Sequence, residues 1–281
     1  MERMSEQTYI QDAPGMGSHL HRLEHVMGMP IGVDVCDPDI QAKTVDRVYQ
    51  WLRFVDATFS TYREDSEISR LNRGELAPEQ THPAVRSVLR RCERLREQTD
   101  GYFDVRAPLQ SSVQAAAEAE DRRPIDPSGL VKGWSVAGAA RILDKAGARN
   151  YSVHAGGDAR LRGCSWNGES WRVGIQHPRI RDRVAAVLVA SDAGIATSGA
   201  YERGEHIIDP HTSSPSEGVL SVTIVGPDVA TADAYATAAY AMGPKGAQWC
   251  AALEDYAAMV ILTDDTLLST PAMSRYRADA P

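Results

Sequence analysis

No apolar run in this chain is long enough to span a bilayer, and its opening stretch, MERMSEQTYIQDAPGMGSHLHRLEHV, lacks the apolar segment of a secretory signal. Cysteine is scarce. Cys36, Cys92, Cys164 and Cys250 stand far apart, without a CxxC pair or a Cys/His ligand spacing, which argues against a disulfide framework and a structural zinc. An excess of basic charge is also missing: 30 Lys and Arg against 38 Asp and Glu give a formal net charge of −8, the wrong sign for a general nucleic-acid binder. No repeat of solenoid or propeller period is visible. These absences lead us to expect a cytoplasmic protein with neither nucleic acid nor membrane as a partner, its scattered thiols suiting reducing surroundings.

What is present is ordinary globular material: 281 residues, 43% hydrophobic and 24% charged, enough for one large domain or two modest ones. Val45, Val48, Leu52, Val55 and Phe59 follow a 3-4-3-4 spacing that predicts an amphipathic helix. A second helix is expected from Pro83, with Val85, Val88, Leu89, Cys92 and Leu95 on one face. VKGWSVAGAARILDKAG predicts a third, capped at Gly147, and TADAYATAAYAMG a fourth. Strands are expected at HVMGMPIGVDVCD, NYSVHAGG, WRVGIQHP, RVAAVLVASDAGIATSG, GVLSVTIVG and YAAMVILTDD, with DGYFDVR as a turn entering a short strand. SSVQAAAEAEDRRP reads as a short exposed helix or a loose excursion. The fold class is α+β, with mixed or antiparallel sheets and a few long helices. Residues 1–22 are expected to be a flexible leader, 23–270 a single domain and 271–281 a tail.

Four stretches carry chemistry. In TADAYATAAYAMG, Asp233 and Thr237 lie one helical turn apart and aim oxygen atoms along one face. Carboxylate and hydroxyl oxygens suit a hard cation such as Mg²⁺. The same residues also fit a simpler role, with Thr231 or Asp233 capping the helix and Thr237 bonding back to the carbonyl of residue 233. The surrounding alanines admit close approach of either backbone or a planar ligand. In DPSGLVKGW, two glycines flank Lys132 ahead of a helix, where amides and an ammonium can meet phosphate oxygens, although the spacing is not that of a Walker A loop. ATSGAYERGEHIIDPHTSSP reads as an exposed working loop, with His206 and His211 each able to act as a base near neutral pH. HAGGDARLRG places paired glycines at a strand end, for close backbone approach or a tight turn.

Taken in order, MGMP, FSTYREDSEISRLN, GYFDV, DPSGLVKGW, HAGGDARLRG, ATSGAYERGEHIIDP and ADAYATAAYAMG resemble the ApbE family, the FAD:protein FMN transferases. The resemblance runs from about Met27 to about Asp264. It implies an ApbE-like fold related to the T-fold, with a ligand cleft. The implied reaction is Mg²⁺-dependent transfer of FMN from FAD to a Ser or Thr hydroxyl of an acceptor flavoprotein, with release of AMP. A Mg²⁺-dependent FAD pyrophosphatase and a non-catalytic FAD carrier are the alternatives. By motif, Asp233 and Thr237 would supply side-chain oxygens to Mg²⁺ and Gly129 its carbonyl. FAD contacts would come from Met27, Tyr62, Tyr102, Phe103, Asp104, Asp126, Lys132 and Ile208, and His206 would be the catalytic base. Three positions depart from the family pattern: Pro127 stands where leucine is usual, Val131 in LVKG where alanine is usual, and Ser213 where glycine is usual.

Overall fold

The computed structural model describes residues 7–11, 19–106, 123–180, 182–199 and 207–278. Its frame is a nine-stranded sheet of antiparallel pairs in the order β1-β2-β3-β4-β5-β8-β11-β12-β13. The first five of these strands are β1 (Gln7–Gln11), β2 (His19–Val26), β3 (Met29–Val35), β4 (Tyr151–Ala155) and β5 (Asp158–Arg162). A separate hairpin, β6 (Trp171–Gln176) with β7 (Val184–Ala190), follows. The frame continues with β8 (Gly194–Gly199); a small pair, β9 (Ile208–Asp209) with β10 (Ser214–Pro215), precedes β11 (Val219–Gly226), β12 (Ala257–Leu262) and β13 (Leu267–Ser269). This is an α+β architecture. β1 falls within the expected leader, and Met273, in the expected tail, is fully buried.

Among the described residues the α-helices are α1 (Ala42–Phe59), α2 (Glu67–Asn72), α3 (Pro83–Gln98), α4 (Ser128–Lys145), α5 (Val229–Ala241) and α6 (Lys245–Ala251). Strand alternation divides the side chains between the two faces of the sheet. Ile31, Val33 and Val35 of β3 pack with Val48, Leu52, Val136 and Leu143 of α1 and α4. Ala196 and Ile224 of β8 and β11 meet Ala232 and Ala236 of α5. Ala159, Leu161 and Ile195 point the other way, against Trp171, Ile175 and Leu188 of the β6–β7 hairpin. The expected apolar stripes of α1 and α3 are buried: Val45, Val48, Leu52, Val55 and Phe59 in one, and Val85, Val88, Cys92 and Leu95 in the other.

Several expectations need correction. HVMGMPIGVDVCD is not one strand. Met27, at φ +57°, and Gly28, at φ +75°, turn the chain between β2 and β3, and Val26 pairs with Met29. RVAAVLVASDAGIATSG breaks at Asp192, φ +52°, so β7 joins the hairpin and β8 the main sheet. DGYFDVR is a turn without a strand. DPSGLVKGW is not a loop ahead of a helix, because α4 already begins at Ser128 and carries both glycines in its first turns. Glycine's low helix propensity favours the loop reading, but close packing needs the missing side chain. A Cβ on Gly133 would stand 2.6 Å from the Val229 carbonyl oxygen, so α4 and α5 cross there almost backbone to backbone. The alanines of α5 serve that approach: Ala230, Ala234 and Ala238 are fully buried towards one cluster and Ala232, Ala236 and Ala239 towards another. A helix apolar all round is a buried helix.

Candidate active site

The α5 terminus is capped by neither Thr231 nor Asp233. Asp228 accepts from the Thr231 amide at 3.2 Å and from its hydroxyl at 2.8 Å, and Arg91 pairs with the same carboxylate. Asp233 is thereby left for another task. It is 1% exposed, and its Oδ2 accepts from the Gly133 amide at 2.8 Å across the helix crossing. Its Oδ1 lies 3.4 Å from Lys132 Nζ. Burial pushes the Asp233 carboxyl above its ordinary range, opposed by the Lys132 ammonium and the Gly133 amide.

Thr237, one turn on, meets Ser198 of β8, with 3.3 Å between the hydroxyl oxygens. Gly129 faces it. A Cβ there would be 3.2 Å from Thr237 Oγ1 and 3.3 Å from the Phe103 ring, so Gly129, Phe103 and Thr237 form one contact group. Carboxylate, hydroxyl and backbone carbonyl are the donor types that suit a small hard cation. Among the described residues no three His, Cys, Asp or Glu side chains form a metal-holding group, so a cation here would depend on such mixed oxygen donors.

Met27, Tyr62, Asp126 and Lys132 line one shallow, open cleft together with Phe59, Ser128 and Val131. Met27 packs under it against the core, whereas Tyr62 is 85% exposed at its edge. Asp126 accepts from the Ser128 amide at 3.0 Å, ordering the entry to α4. Pro127, one of the residues that depart from the family pattern, occupies the N-cap position there at φ −84° without a capping hydrogen bond.

The remaining expected contacts do not line this cleft. Phe103 is buried, its amide held by the Thr99 hydroxyl at 3.0 Å. Asp104 orders its own turn, accepting from the Arg106 amide at 2.8 Å, with Arg96 Nε 3.7 Å away. Tyr102 meets His211 edge to face, with ring centroids 4.4 Å apart, and His211 Nε2 lies 2.9 Å from the Asp100 carbonyl oxygen. Ile208 is buried in β9, opposite Pro215. Ser213, another departure, has φ +55°, a left-handed conformation that glycine adopts at lower cost. His206 lies outside the described residues, as does most of SSVQAAAEAEDRRP.

The residue that sequence reasoning missed is Asp158. It opens β5 after the Gly156–Gly157 turn, its side chain is fully buried, and its Oδ1 holds Lys132 Nζ at 2.6 Å. The acid following the paired glycines of HAGGDARLRG was the available signal, but a separation of 26 positions between Lys132 and Asp158 gives no hint that they meet.

The ApbE family model matches residues 27–115 and 106–260. The chain belongs to the ApbE family. It is 30% identical to a protein of Vibrio cholerae serotype O1 named FAD:protein FMN transferase, over 94% of this chain and 90% of that one. A protein of the same name from Salmonella typhimurium is 28% identical, covering 74% of each chain. Among solved structures, the flavin transferase ApbE from Vibrio cholerae superposes with a TM-score of 0.80 at 27% identity, covering 92% of this chain and 99% of that one. The ApbE protein of Thermotoga maritima gives a TM-score of 0.79 at 22% identity, over 93% of this chain and 100% of that one, a likeness of fold.

Proposed function

We propose that this chain is an FAD:protein FMN transferase, moving the FMN half of FAD onto a Ser or Thr hydroxyl of an acceptor flavoprotein in a Mg²⁺-dependent reaction that releases AMP. One observation carries the reading. Lys132 links Asp233, on the alanine-rich helix, to the cleft lined by Met27, Tyr62 and Asp126, in an ApbE chain whose relatives bear that enzyme name.

Each group has a physical part in this reading. Met27 and Tyr62 offer an apolar and an aromatic wall for a flavin or adenine ring, whereas Tyr102, Phe103 and Ile208 lie outside that cleft. Asp126, which lines the cleft, is the carboxylate available to ribose hydroxyls or ring nitrogens, while Asp104 is turned to the Arg106 amide outside it. Lys132 sets a compact positive charge beside the diphosphate. Gly129, Asp233 and Thr237 would hold Mg²⁺, which when bound stabilises charge developing on the phosphoryl oxygens and the departing AMP. His206 would take the proton from the acceptor hydroxyl as its oxygen bonds to the FMN phosphorus. The bond from that phosphorus to the bridging oxygen breaks, and the oxygen departs with AMP. A cytoplasmic setting belongs to the same proposal and is consistent with four free cysteines. Among the described residues no helix is long and apolar enough to cross a membrane.

The test is incubation with FAD, Mg²⁺ and a candidate acceptor. A fluorescent acceptor band on a denaturing gel, with AMP released, supports transfer. Free FMN and AMP without that band make the chain a pyrophosphatase, and unchanged FAD makes it a carrier.

A further inference from the structure

Lys132 does not stand alone against Asp233. Its Nζ is 2.6 Å from Asp158 Oδ1 and 3.4 Å from Asp233 Oδ1, so the shorter contact belongs to Asp158. The three side chains are withdrawn from solvent: Asp158 is 0%, Asp233 2% and Lys132 15% exposed. Two buried acids face one ammonium, and buried charges require partners. Asp158 comes from a hairpin tip, Lys132 from α4 and Asp233 from α5, so three separate elements converge on this arrangement.

We infer that Asp158 is a positioning residue: it takes up the Lys132 ammonium, so that Asp233 stays available to a divalent cation and the lysine stays fixed beside it. The inference rests on the metal reading given above and adds a residue to it. Without the Asp158 carboxylate, Lys132 keeps the Asp233 carboxyl 3.4 Å away and closes on it, and a cation arriving there must displace an ammonium. Groups that orient a metal ligand in this indirect way change metal affinity by about 10- to 100-fold when removed.

The experiment is a Mn²⁺ titration of the full chain without FAD, read as loss of the free-ion signal in electron paramagnetic resonance. Asp158→Asn is expected to weaken Mn²⁺ binding about 10- to 100-fold. The double variant Asp158→Asn/Lys132→Met, which lacks the competing ammonium, is expected to recover most of that loss. Unchanged affinity in Asp158→Asn overturns the inference, as does a double variant that stays equally weak, since damage to the fold is not repaired by removing Lys132. Should Asp158→Asn fail to fold, Lys132→Met alone decides. It keeps both carboxylates and must bind Mn²⁺ at least as tightly as wild type, so weaker binding overturns the inference. Asp233→Ala separates the two levels. If it binds Mn²⁺ as wild type does, the metal reading fails and this inference with it. If it loses binding while Asp158→Asn does not, only the inference fails.

Discussion

The Gly133 amide donates to Asp233 Oδ2 at 2.8 Å, tying the backbone of α4 to the buried acid of α5. The same crossing has no room for a methyl group, because a Cβ on Gly133 would stand 2.6 Å from the Val229 carbonyl oxygen and 2.7 Å from Asp233 Cβ. Gly133→Ala gains about 1 kcal/mol of helix propensity and loses about 1–3 kcal/mol or more to overpacking against backbone. The second effect wins, so denaturant unfolding should show a net loss. Gly129→Ala is the contrast. Its neighbours lie at 3.2–3.3 Å and are side-chain atoms of Thr237 and Phe103, which can give slightly. Stability should change by less than about 1 kcal/mol, while a shift of Thr237 weakens cation binding in the same Mn²⁺ titration.

Tyr62 is 85% exposed on the cleft that Lys132 also lines, an aromatic position that the fold does not need. Tyr62→Ala should leave unfolding within about 0.5 kcal/mol of wild type. Loss of one aromatic stacking partner, about 0.5–1.5 kcal/mol, should weaken FAD binding by roughly 2- to 13-fold, measured by quenching of flavin fluorescence. Unchanged affinity would remove Tyr62 from the binding site.

His206 has a proposed role in chemistry and none in holding FAD. His206→Ala should slow transfer about 10²- to 10⁴-fold while FAD affinity stays near wild type. Single-turnover transfer and equilibrium FAD binding, measured side by side, separate the two. Equal loss in both would count against a proton-transfer role.

His154 lies over Gly32, where a Cβ would fall 2.0 Å from its Cε1. Burial lowers its pKa from the ordinary 6.5, with Asp34 opposing and His21 adding to the fall. The sign follows from proton counting. Well above pH 6.5 neither the folded nor the unfolded chain carries this proton; as the pH falls through it, the unfolded chain takes up a proton that the folded chain refuses. The His154 contribution to stability therefore declines on acidification, by at most about 1.4 kcal/mol per pH unit until the folded-state pKa is reached. His154→Gln should flatten that part of the profile in unfolding measured between about pH 7.5 and pH 5.5.

Different parts of the site were legible to different degrees. The i to i+4 relation of Asp233 and Thr237 follows from helical geometry, and the apolar spacing of α1 gave its buried face directly. Met27 hid a turn, because a methionine at φ +57° is not a residue that announces left-handed backbone. The start of α4 was obscured by Gly129 and Gly133, whose use depends on α5, about a hundred residues later. Asp158 was hidden for the same reason: its partner Lys132 is brought to it by tertiary packing, and no local periodicity encodes that meeting.

The most direct measurement is Mg²⁺-dependent release of AMP from FAD by wild type and by Asp233→Ala, each first shown to be folded. The account predicts a fall of about 100-fold or more in the variant, equivalent to about 2.7 kcal/mol of barrier. An Asp233→Ala protein that keeps full Mg²⁺-dependent release would contradict it.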